Sequence, residues 1–209
     1  MVFNKENLLG QIEKVKPKDF NLLKRGFGYE SSEETRLEVI QLATREYFPH
    51  GAHIFGASAH VTFYEVEEKI KPLYLEEGIK NSDNYTIKNS LMDVEGVDYQ
   101  KLDQEISDNS SFASISGELK KLINSALLFF NQFKTIKDAA NFLAEKDVVE
   151  IVPFIQGTIL LPKTILILKL ADHPKFVHKR DEFYGLAKKQ AAKKKQVEAD
   201  LIVFEQLFC

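Results

Sequence analysis

Leu119, Leu122, Ile123, Ala126, Phe129, Phe130 and Phe133 fall on one stripe when residues 117–133 are wound as a helix. A stripe this broad and this aromatic must be covered by a second layer, so the chain has to supply one. The rest of the pattern says what kind. Residues 57–66 alternate at period two, with Ala59, Val61 and Phe63 on one side and His60, Thr62, Tyr64 and Val66 on the other, which predicts a strand. Shorter strands are expected around 70–75 and 85–92, joined by polar turns such as Asn81-Ser82-Asp83-Asn84. Residues 148–155 and 164–170 are apolar and β-rich and read as two buried strands joined through Gly157 and Pro162.

Helical expectations flank these. Asn4 precedes Leu8, Leu9, Ile12 and Val15, a short helix ended by Pro17. Phe20, Leu22 and Leu23 suggest a further turn or two. Ser31 to Glu34 has capping-box form ahead of Leu37, Ile40, Ala43 and Tyr47, predicting a helix over 32–48. A short helix is expected within 97–106, and another from Thr135 to Glu145. The apolar positions from Phe183 through Phe204 to Phe208 suggest one long helix over 181–208. The segregated order of helices, strands, helices, strands and helix predicts an α+β fold: helices on a largely antiparallel β-sheet, with a long C-terminal helix. The 209 residues read as a single domain, 1–209, and Ser107–Ser111 is the one stretch that resembles a boundary.

The only cysteine is Cys209, which excludes an internal disulfide and argues against a cysteine zinc site. The first residues lack the basic and apolar blocks of a signal peptide, and the most apolar stretch, 148–170, is interrupted by Glu150, Pro153, Gln156, Pro162, Lys163 and Lys169. A cytoplasmic protein without a membrane partner is therefore expected. The apolar end, Leu201 to Cys209, must pack on the core or on a second copy, so a homodimer through the C-terminal helix is an open expectation.

The formal charge of -3 conceals two blocks. Residues 65–108 carry twelve acids against five lysines, a net of -7, and residues 163–195 carry ten Lys and Arg against three acids, a net of +7. These blocks can steer partners or attract each other.

Histidines offer the sharpest chemical signal. His50, His53 and His60 fall within eleven residues. On one straight strand His53 and His60 would stand roughly 23 Å apart at about 3.3 Å per residue, on opposite faces. On a helix the three would spread over roughly 15 Å. Ligand nitrogens must lie about 2.0–2.1 Å from one ion, so neither arrangement makes a shared site. A second group, Asp172, His173 and His178 with Asp181 and Glu182, follows an apolar run. It could supply acid–base chemistry or metal ligands if His50 and His53 met it. Asp-His-Pro is also ordinary turn chemistry.

Other motifs are incomplete. Arg25-Gly26-Phe27-Gly28-Tyr29 matches five positions of an RNA-binding pattern and then fails at Glu30 to Ser32. Gly56-Ala57-Ser58-Ala59-His60 lacks the last glycine of a nucleophile elbow. Its Ser58 and His60 would share a strand face roughly 6.6 Å apart, too far for a direct hydrogen bond without long side-chain reach. Lys188, Lys189 and Lys193–Lys195 could touch phosphates, but no stacking aromatics or arginines are interleaved with them, so nucleic acid is not the expected partner. With no complete catalytic constellation and no cofactor motif, the sequence points to a non-catalytic cytoplasmic protein-binding module. An inhibitor, antitoxin or immunity-type partner using its acidic face would fit. A metal-dependent hydrolase around His173/His178 with His50/His53, and a nucleic-acid-associated protein using the Lys188–Lys195 helix, are the alternatives.

Overall fold

Asn4 starts the first helix, as its position suggests. Its side chain accepts the Asn7 N–H, and the Asn7 side chain accepts the Asn4 N–H, which satisfies two donors that a helix start leaves unpaired. The computed structural model describes residues 3–78, 85–155, 160–192 and 198–208. Helix α1 is Lys5–Glu13, with Leu8 and Ile12 fully buried.

From Asn21 the chain is extended rather than helical. Strands β1 (Asn21–Leu22), β2 (Gly28–Ser32), β3 (Arg36–Tyr47), β4 (Gly51–Phe63) and β5 (Ile87–Leu91) form one antiparallel sheet in sequence order. Tyr29 lies opposite Ile40 and Ser32 opposite Leu37, and the Glu33 N–H donates to the Arg36 carbonyl at 2.8 Å to close the turn. The helix expected over 32–48 is therefore the β2–β3 hairpin, and the apparent capping box is its turn. The buried positions of β3 are Arg36, Glu38, Ile40 and Leu42, a period of two that two charged residues disguise. Arg36 and Glu38 are buried because they pair with each other, Nη2 to Oε1 at 2.7 Å.

After β4 the chain turns directly into helix α2 (Tyr64–Glu76), in place of the strand expected at 70–75. β5 stands where a strand was expected. The segment Asn81–Asn84 lies outside the described residues. Helix α3 is Tyr99–Leu102 and α4 is Asn109–Gln132. Ser107–Ser111 is the capped start of α4: the Asp108 carboxylate accepts the Ser111 N–H at 2.8 Å. The buried stripe of α4 begins earlier than the sequence suggested, at Phe112 and Ile115.

Helix α5 (Ile136–Ala144) starts at a Thr135–Asp138 capping box, as expected. The two buried strands expected next are instead helices α6 (Val148–Ile151) and α7 (Leu160–Leu170). Residues 160–168 are all buried, and an apolar run with no polar face carries no period to separate strand from helix. Pro162 sits in the first turn of α7, where a missing N–H costs nothing. Gly157 lies outside the described residues. The C-terminal region forms α8 (Phe176–Ala191, with Ala192 as its C-cap) and α9 (Glu198–Phe208), where one helix was expected. Among the described residues no helix is long and apolar enough to cross a membrane. The architecture is α+β with a C-terminal helix.

The chain divides into two compact units, Met1–His60 with Asn89–Asn131, and Val61–Lys88 with Gln132–Cys209. The first holds α1, β1 to β3, most of β4, α3 and nearly all of α4. Its interior includes Ile12, Tyr29, Ile40 and Leu119. The second holds α2 and α5 to α9 around Val66, Ile70, Leu143, Ile165 and Phe204.

Candidate functional site

Helix α2 presents two different faces. Val66, Glu67, Ile70 and Tyr74 point inward and are buried. Tyr64, Glu68, Lys71, Pro72 and Leu75 recur at helical spacing on another face. With Glu67 they line a groove of about 460 Å³. Leu75 is 57 % exposed there. Glu65, Glu68 and Glu76 are exposed along one flank. Lys69 and Lys71 are exposed on the same helix, Lys69 four residues from Glu65 and Lys71 three residues from Glu68, so each lies beside one of these acids.

Behind this groove lies a buried polar cluster. Lys163 of α7 is only 1 % exposed. Its Nζ donates to Glu67 Oε1 at 2.8 Å and to the Tyr85 carbonyl at 2.9 Å. Thr86 Oγ1 donates to the same Glu67 oxygen at 2.9 Å and accepts the Phe63 N–H at 3.0 Å. The ion pair joins a member of the acidic segment to a member of the basic one. Such a pair contributes little net stability, yet breaking it strands a buried charge. One turn pair further along α2, Tyr74 donates its hydroxyl hydrogen to Asp200 Oδ1 of α9 at 2.9 Å. Burial pushes the Asp200 carboxyl up to about 7, with the Tyr74 hydrogen bond opposing. The same burial, reinforced by Asp200, pushes the Tyr74 phenol far up.

The histidines are dispersed. His50 is exposed in the turn between β3 and β4, where its N–H donates to the Tyr47 carbonyl at 2.8 Å. His53 and His60 both lie on β4, whose partly exposed positions are 53 and 55 before the buried pair Gly56–Ala57 and 58 and 60 after it. His53 Nδ1 stands 3.0 Å from the Asp103 carbonyl and 3.2 Å from its Oδ1, with the Tyr47 ring edge-on at 5.7 Å. The hydrogen bond is to the backbone carbonyl, and Asp103 Oδ1 is buried without a hydrogen-bond partner among the described residues. His60 Nε2 reaches Ser58 Oγ at 2.8 Å, a contact that backbone spacing alone argued against and that the length of the imidazole arm supplies. In the second unit His173 Nδ1 accepts the Lys175 N–H at 3.1 Å, completing the turn after Asp172, whose φ of 50° is left-handed. His178 is exposed on α8. Asp181 bonds Arg180, and Glu182 pairs with Lys179 at 3.2 Å. Among the described residues no group of three or more His, Cys, Asp or Glu side chains could hold a metal ion.

The basic segment is more aromatic in space than in sequence. Lys188 Nζ stands 3.9 Å from the Tyr184 ring, Arg180 5.8 Å from Phe176 and Lys169 5.2 Å from Phe208. The first two are (i, i+4) pairs on α8 and were legible at helical spacing. The cations of α8 are largely engaged: Lys179 also reaches the Lys146 carbonyl at 3.0 Å. Lys193–Lys195 lie outside the described residues. Sequence reading missed the groove because it took Tyr64 into a strand, although the 64, 68, 71, 72, 75 spacing was there to be found. No family model, curated protein or solved structure matches the chain.

Proposed function

We propose that the chain is a non-catalytic protein-binding module whose docking surface is the outer face of α2. The observation that carries this reading is the groove itself, with Pro72 and Leu75 as apolar floor and the exposed carboxylates of Glu65, Glu68 and Glu76 beside it. Charge and apolar surface occur together on one helix face, the combination that an amphipathic cationic segment of another protein complements. Glu67 belongs to the interior of this surface rather than its rim, because Lys163 neutralises it.

The test uses a fluorescein-labelled helical peptide of leucines and lysines and reads its anisotropy. Reversing Glu65, Glu68 and Glu76 to lysine weakens binding by about tenfold or more. Reversing Glu6, Glu13 and Glu34, which are exposed in the first unit, leaves it within about twofold on the same scale. Equal losses from both sets, or no binding by the unaltered protein, would sink the proposal.

A further inference from the structure

The first unit holds a cavity of its own. Phe3, Asn7, Gln11, Ser107, Asp108 and Asn109 line a pocket of about 330 Å³ between α1 and the start of α4. Five of the six are polar and three of those are carboxamides, unlike the mostly apolar walls of an ordinary ligand cleft. The hydrogen bonds among them are one-sided. Asn7 Oδ1 is taken up by a capping box, in which it accepts the Asn4 N–H at 2.9 Å. Asn109 Oδ1 accepts from Gln11 Nε2 and, at 3.0 Å, from Lys14 Nζ. Gln11 Oε1 also accepts from Lys14 Nζ, at 3.0 Å. Every carboxamide oxygen is therefore engaged. The NH2 groups of Asn7 and Asn109 donate to nothing among the described residues, and Gln11, only 7 % exposed, has used one of its two amide hydrogens there. Beside these donors stands one strong acceptor. The Asp108 carboxylate is fixed by the Ser111 N–H at 2.8 Å and the Ser111 hydroxyl at 2.9 Å, bonds that hold its carboxyl below the ordinary range and keep it ionised at neutral pH. Phe3 is the one carbon wall.

We infer that this pocket binds a neutral polyhydroxylated ring, a single pyranose unit of a sugar. The two charges at the pocket, Lys14 bonded to two of its carboxamides and Asp108 in its wall, have opposite sign, so the lining favours neither an anion nor a cation. An anion would meet the Asp108 carboxylate, and a cation would meet the amide hydrogens and the Lys14 ammonium. A hydroxyl answers both sides at once. Its oxygen accepts from an asparagine NH2, and its hydrogen goes to the carboxylate, the stronger charge-assisted class. Neighbouring hydroxyls on one ring repeat that pattern, and the C–H face of the ring lies against Phe3. The volume stands at the small end of ligand sites and suits one ring.

The inference is independent of the docking role proposed for α2, whose groove belongs to the second unit. The test titrates the full chain, labelled with ¹⁵N, with glucose, galactose and mannose and with their methyl glycosides, and follows the side-chain NH2 resonances. At least one of these sugars is expected to shift the Asn7 and Asn109 NH2 resonances saturably, with a Kd of about 1 mM or lower. Binding that methylation abolishes supports the proposal with a free monosaccharide as ligand, and binding that survives methylation supports it with the end of a sugar chain. Asn109→Asp exchanges the NH2 for an oxygen yet keeps the acceptor of Gln11 and Lys14, and should weaken binding by about tenfold. Asp108→Asn keeps an acceptor for Ser111 and removes the charge, and should lose a similar factor, with both variants melting cooperatively like the unaltered protein. Undiminished affinity in both variants, or no saturable shift of these resonances with any of the sugars, overturns the proposal. Inorganic phosphate moving the same resonances in place of the sugars also overturns it, because the pocket would then be an anion site.

Discussion

Replacing Glu67 by glutamine removes a carboxylate bonded to Lys163 Nζ, a cation with 1 % exposure. The same change weakens the acceptor of Thr86. Breaking a buried ion pair by removing one partner costs about 3–5 kcal/mol, so Glu67→Gln and Lys163→Met are each expected to lower the urea midpoint sharply. The double variant Glu67→Leu with Lys163→Met removes both charges together and is expected to recover most of that loss. Additive losses in the double variant would show that the two side chains act independently. A second contrast concerns glycine. Gly28 has φ +143°, and a Cβ there would sit 2.0 Å from the Ile40 carbonyl oxygen, whereas a Cβ at Gly10 in exposed α1 meets nothing within 4 Å. Gly28→Ala should cost about 3 kcal/mol or more, and Gly10→Ala should gain up to about 1 kcal/mol, both measured by equilibrium unfolding. At this scale the sequence was least legible where charge is buried. Lys163, Glu67, Arg36 and Glu38 look like solvated residues until their partners are known, and those partners are set by tertiary pairing.

The elements follow the same logic. Helix starts with side-chain caps at Asn4 and Thr135 were legible because capping is local chemistry. Strand β3 was not, because its inward face alternates apolar with paired charges, and α7 was not, because burial on every side erases the period. The burial of Asp200 gives the α2–α9 contact a pH dependence with a definite sign, which the Tyr74 hydrogen bond opposes. Asp200 in the native protein holds its proton up to about pH 7, while an unfolded aspartate releases it near pH 4, about 3.9. Between those values the native state binds the extra proton, so stability is greatest at the acid end and falls as pH rises through the window. The full effect is on the order of 4 kcal/mol. Thermal melts of the unaltered protein should therefore shift down between pH 5 and pH 8 (about 3.9 to 7 is the titrating range) relative to Asp200→Asn. That variant keeps an acceptor for the Tyr74 hydroxyl and has no charge to bury. Parallel pH profiles for the two proteins would show that Asp200 is ionised in the fold without penalty.

At the scale of the molecule, the segregated order of hydrophobic patterns led to the α+β class, and the structure has it. The way the chain weaves between its two units was not visible, because no linker marks the crossings: the division falls within β4 after His60, within β5 after Lys88, and inside α4 after Asn131. Local composition reports turns and caps, and these crossings occur inside continuous secondary structure. The weave has a consequence for dissection. The second unit draws α2 from residues 61–88, and that segment carries Glu67 and the Tyr85 carbonyl for Lys163, and Tyr74 for Asp200. A fragment of residues 132–209 therefore loses Glu67 and the Tyr85 carbonyl from Lys163 and Tyr74 from Asp200, and loses Val66 and Ile70 from its interior. It is expected to show no cooperative thermal transition by circular dichroism. The same fragment preceded by residues 61–88 through a flexible Gly/Ser linker regains both polar pairs and the apolar face of α2, and is expected to melt cooperatively. A cooperative melt of residues 132–209 alone would mean that α5 to α9 close a core without α2, and that α2 is an addition to that core rather than a part of it.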